Sequence, residues 1–76
     1  RRQKGKVSMA KYYVNNRAQA NGDHEVHQEG CIWLKLAVST TYLGEYSNCV
    51  SAVAVAKIYF RQSNGCKYCN PSCHTS

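Results

Sequence analysis

Along this chain apolar positions recur first with the period of a strand, then in an unbroken run, then with the period of a helix. Lys11-Tyr12-Tyr13-Val14-Asn15 is aromatic and β-branched and predicts a strand, with Tyr12 and Val14 on one face. Asn15 to Asn21 is polar and either continues that strand or loops out. Asn21-Gly22-Asp23 is a tight-turn signal, because Asn and Gly tolerate positive φ. His24-Glu25-Val26-His27-Gln28 predicts the return strand. Alternation places His24, Val26 and Gln28 on one face and Glu25 and His27 on the other. Val26 marks the inner face, so His24 is expected inward and His27 outward; a bulge or turn after Val26 would reunite them.

Gly30-Cys31-Ile32-Trp33-Leu34-Lys35-Leu36-Ala37-Val38 is the most apolar run, read as a buried strand or as a loop packed under the sheet. Thr40 to Tyr46 is strand-like. Ser47-Asn48 is an N-cap pair, and a helix is expected from Asn48 to about Gln62. Cys49, Val53, Ala56 and Phe60 form its apolar stripe, widened by Ala52 and Tyr59. Asn64-Gly65 reads as its C-terminal stop. The pattern as a whole predicts an α+β domain. It has a small two- or three-stranded antiparallel sheet, one C-terminal helix and a Cys/His-rich tail.

Size changes how that fold must be held. A chain of 76 residues is one domain. It buries only about 60% of the surface of its unfolded form, so its core is marginal and a metal or disulfides are expected. The formal net charge is +6, but Arg1, Arg2, Lys4 and Lys6 supply four of those charges. From Met9 onward six basic residues face four acids, leaving a net of +2. Residues 1–8 read as a disordered basic arm, or as residues ahead of a natural start at Met9-Ala10; residues 9–76 make the single domain. No apolar run approaches the roughly 20 residues of a membrane helix. The expected compartment is the cytoplasm, or the cell exterior if the cysteines are bridged.

The five cysteines carry the candidate chemistry. Cys66-x2-Cys69-x3-Cys73-His74 closes the chain, and His24, His27 and Cys31 form a looser upstream group. A two-residue gap lets both sulfurs of one turn reach one metal ion. The preferred reading is zinc on Cys66, Cys69 and Cys73, with a fourth ligand from His24, His27 or Cys31. His74 is a weaker candidate, because it adjoins Cys73. Disulfides, with one thiol left over, are the alternative. Cys49 lies on the helix stripe and reads as a core thiol, or as a partner for Cys31. The His24–His27 spacing is i+3 in a strand, unlike the i, i+4 helical pair of zinc proteases. A haem-attachment motif would have two residues, not three, between its cysteines.

Asn21 to His27, Gly30-Cys31, Tyr42-Leu43-Gly44, and Asn64-Gly65-Cys66 through Cys69 to Cys73-His74 together resemble a group of short, uncharacterised bacterial Cys/His proteins. The resemblance runs from about Met9 to Ser76 and implies a bacterial or phage source, with no activity to carry over. The residues themselves favour a small non-catalytic binding or adaptor protein stabilised by zinc. It would act on a protein partner as a monomer or weak dimer, without a membrane. The alternatives are a nucleic-acid-binding or phage–host interaction factor and a secreted, disulfide-stapled peptide.

Overall fold

In the computed structural model, residues 8–75 are described. The arm expected over 1–8 therefore lies outside the described residues, save for Ser8, which is exposed and belongs to no element. Strands β1 (Ala10–Asn15) and β2 (His24–Gln28) lead to a short helix α1 (Ile32–Leu36). Strand β3 (Thr40–Tyr46), helix α2 (Cys49–Tyr59) and strand β4 (Ser63–Gly65) follow. A 3-10 turn at Pro71–Cys73 ends the series.

The sheet corrects the sequence expectation. It has four strands in the order β3-β1-β2-β4 and is mixed: β1 runs antiparallel to both β2 and β3, while β2 and β4 are parallel. The missed strand is β4, whose three residues Ser-Asn-Gly carry no apolar alternation. Backbone bonds recruit it: His24 N–H donates to the Gln62 carbonyl (2.8 Å) and Cys66 N–H to that of Val26 (2.9 Å). All three β4 residues are buried. Asn64 braces them from within, its carboxamide oxygen accepting from the Gly65 and Thr75 N–H groups, each at 3.0 Å. A parallel partner needs a long crossover, which the chain between Gln28 and Ser63 supplies.

On one face of the sheet, Tyr12, Val14, Val26 and Leu43 pack against Cys49, Ala52 and Ala56 of α2. Ala52 and Ala56 are fully buried, and their small side chains let the helix approach closely. Leu43 stands where the β1–β3 register shifts: Tyr12 pairs with Gly44 and Tyr13 with Tyr42. The Asn48 side chain caps α2 by accepting from the N–H groups of Val50 (2.9 Å) and Ser51 (3.4 Å).

Helix α2 stops at Tyr59, short of the expected Gln62, because tertiary contacts claim the next residues. Phe60 is extended and stacks on the His24 ring with centroids 3.9 Å apart. The Gln62 amide donates to the Asn21 carbonyl (3.0 Å) and the Asp23 carboxylate (2.7 Å). The apolar run over 30–38 is a second correction. It forms neither a buried strand nor a packed loop but the five-residue α1, of which no residue is buried.

Candidate metal centre

The sheet face away from α2 holds the chemistry. His27 alternates with the core residue Val26 and pairs across β1 with Tyr13, so it points to that opposite face as the sequence alternation expects. It is nevertheless only 1% exposed. Two turns roof it. One follows β2: Gly30 takes φ +94°, and the Cys31 N–H closes the turn onto the Gln28 carbonyl at 3.0 Å. Cys31 then occupies the N-cap of α1, where its side chain makes no capping hydrogen bond but the nearby Trp33 and Leu34 N–H groups favour its thiolate. The other turn follows β4. The Cys66 carbonyl accepts from the Asn70 N–H (2.8 Å), folding Cys66-Lys67-Tyr68-Cys69 into a loop. Buried Asn70 pins that loop by donating to the Val26 carbonyl at 2.7 Å.

His27, Cys31, Cys66 and Cys69 thereby bring one ligand atom each within 4.8 Å of one another, close enough to hold a metal ion. His27 Nδ1 stands 3.8 Å from the Cys31 sulfur and 3.9 Å from that of Cys69. Donors of a tetrahedral zinc site, with Zn–S near 2.3 Å and Zn–N near 2.05 Å, stand about 3.6 Å (N to S) and about 3.8 Å (S to S) apart. The two imidazole-to-sulfur separations are within a few tenths of an ångström of that geometry, and every other pair lies within 4.8 Å. The other imidazole nitrogen, Nε2, lies 3.7 Å from a Glu25 carboxylate oxygen. That separation is beyond hydrogen-bond distance, so the carboxylate faces the ring without fixing which nitrogen carries the proton.

The electrostatics suit a cation. Burial lowers the His27 pKa and keeps the imidazole neutral, the form that ligates. Burial raises the Cys66 and Cys69 thiols. At Cys31 burial also pushes upward, but the Cys69 thiol and the N–H groups of Trp33 and Leu34 outweigh it, and the pKa falls. The Gln28 N–H reaches the Cys69 sulfur at 3.4 Å, and the Tyr68 and Cys69 N–H groups serve Cys66. Amides thus stand ready around all three sulfurs to stabilise thiolate charge.

Four of the seven candidate ligands meet here: His27, Cys31, Cys66 and Cys69. The other three do not. His24 lies on the helix side, stacked on Phe60, with Nδ1 3.0 Å from the Asn15 carbonyl. His74 Nδ1 is 3.0 Å from the Gly65 carbonyl. Cys73 forms a disulfide with Cys49, closing a sequence separation of 24 residues. The sequence reading had Cys49 as a core thiol or a partner of Cys31. It lies in the core as expected, yet its partner is Cys73, brought over α2 by the Pro71–Cys73 turn.

Among the described residues no helix is long and apolar enough to cross a membrane. Comparisons with protein-family models, with curated proteins and with solved structures found no match to this chain.

Proposed function

We propose that His27, Cys31, Cys66 and Cys69 hold a structural zinc ion, and that the chain is a small non-catalytic binding module whose fold that ion completes. One observation carries the reading: four buried or half-buried donors from two distant segments converge within 4.8 Å. Three thiolates and an imidazole form a soft donor set of the kind zinc takes in closed sites. Four protein ligands leave no coordination position for a substrate, which supports a structural ion over a catalytic one. The ion would bind the chain's end to β2, tying together elements that the small core holds weakly. The Cys49–Cys73 bridge supports an oxidising compartment. Ligation would keep the remaining three thiols from pairing there.

Native mass spectrometry with and without chelator tests this reading. One zinc per chain, with the mass of one disulfide, is expected. Cobalt substitution should give the intense thiolate-to-metal absorption of a tetrahedral site. A chain that carries no metal when purified with zinc present, or whose Cys66 and Cys69 are bridged to each other, overturns it.

A further inference from the structure

Each of the two turns that supply the cysteines also presents an aromatic ring to solvent. Trp33 lies two residues beyond Cys31, and Tyr68 lies between Cys66 and Cys69. Both are solvent-facing, Trp33 at 43% and Tyr68 at 69% exposure. Their ring centroids are 5.5 Å apart with planes tilted by 34°. A large ring exposed on each of two turns, touching the other, is unlike scattered surface aromatics, which need no explanation. Helix α1 carries one exposed lysine, Lys35, and the Cys66–Cys69 loop another, Lys67, and neither Cys31–Leu36 nor Cys66–Cys73 contains an acidic residue. The nearest acid in sequence is Glu29. From Met9 onward the chain carries a net charge of +2.

We propose that Trp33 and Tyr68 form a stacking platform for an unpaired base of single-stranded nucleic acid, with Lys35 and Lys67 supplying charge for the flanking phosphates. The inference rests on the metal reading, because the ion is what ties the two turns together and sets the gap between the rings. At 5.5 Å the pair has no room for a base between its members, so the base adds to Tyr68, the more exposed of the two rings. Aromatic stacking tolerates any base, and lysines read phosphate rather than sequence. The preference expected is therefore for single strands over duplex, with little sequence dependence. The positive surface also argues against a second copy as the occupant, since two such faces would bring four lysines together.

Fluorescence anisotropy of labelled oligo(dT) and oligo(U) with the zinc-loaded full chain provides the test. Binding that weakens as salt rises is expected. Stacking on one aromatic contributes about 1–3 kcal/mol by alanine substitution, which converts to roughly 5- to 150-fold in affinity. Tyr68→Ala should weaken binding within that range. Tyr68→Phe should retain it, and Tyr68→Leu, which keeps apolar bulk without a ring, should lose it. All of these variants keep the residues before Met9, so charge from that segment cancels in the comparison. Zinc content measured on the same samples separates the two readings. Zinc present with no oligonucleotide binding, or with binding indifferent to Tyr68→Leu, overturns the platform and leaves the metal centre intact. Absence of zinc overturns both. Tighter binding to duplex, or a dimer that Tyr68→Leu dissolves and no oligonucleotide competes with, also overturns the platform.

Discussion

At the residue scale the proposed metal centre sets protons against a cation. Burial holds the Cys66 and Cys69 protons in place to higher pH than in a free thiol. Both must leave before the sulfurs ligate. Burial acts the other way on His27, which stays neutral below the ordinary histidine range and so competes with protons only in acid. The signs add: lowering pH disfavours zinc first through the thiols and then through the imidazole, and raising it favours zinc. Each thiol that must ionise contributes about one log unit of affinity per pH unit. Near neutrality Cys66 and Cys69 should together give roughly a hundredfold gain per unit, and Cys31 adds to it wherever its thiol is still protonated. Cobalt titrations followed by thiolate absorption at several pH values would check this. A flat profile would mean that the thiols are not the ligands.

At the scale of elements, the tail and the sheet are built around one close approach. A Cβ added to Gly65 would stand 2.7 Å from the Cys73 Cβ and 2.9 Å from its carbonyl carbon. Cys73 cannot give way easily, because the disulfide anchors it to α2. Gly65→Ala should therefore destabilise the zinc-loaded protein by about 1–3 kcal/mol, in the range of core overpacking. Denaturant unfolding at saturating zinc would measure it, and an unchanged midpoint would refute the contact. That same stretch shows where sequence patterning fails. Helix α2 is legible because its cap residue and its stripe of Cys49, Val53, Ala56 and Phe60, widened by Ala52, state a local preference, although Tyr59, expected on that stripe, is 57% exposed. Strand β3 is legible for a similar reason, its β-branched and aromatic residues. Strand β4 is not, because Ser63-Asn64-Gly65 has neither pattern and is held by bonds from residues far away in sequence. Helix α1 is equally hidden. Its apolar residues suggest burial, yet its position follows from Cys31 facing the cluster, and Ile32 and Leu36 are each left 64% exposed. The ligand set was half legible. The Cys66-x2-Cys69 spacing is local, whereas the choice of His27 over His24 depends on which sheet face the two turns cover.

At the scale of the whole molecule, the tail is fastened on both sides of the sheet. Cys66 and Cys69 join the cluster on the His27 face, and Cys73 is bridged to α2 on the other. The two fastenings differ in strength. Closing a loop of about 25 residues with a disulfide stabilises by about 3.5 kcal/mol on chain-entropy grounds. A structural zinc contributes about 10–16 kcal/mol of apparent binding free energy at neutral pH. Ordinary domains have a total stability of only about 5–15 kcal/mol. The ion should therefore decide whether the chain folds, and the bridge should decide only how well. Replacing both bridge cysteines, Cys49→Ala with Cys73→Ala, should leave a zinc-loaded protein with dispersed amide resonances. Its melting temperature should fall by roughly 14–28 °C, taking about 4–8 °C per kcal/mol for a domain of this size. Replacing Cys66 and Cys69 by serine should instead collapse the amide spectrum and abolish a cooperative melt, even with the bridge intact. If the serine variant melts cooperatively and the bridge variant does not, the core and disulfide hold this fold, and the cluster of thiols would need another explanation.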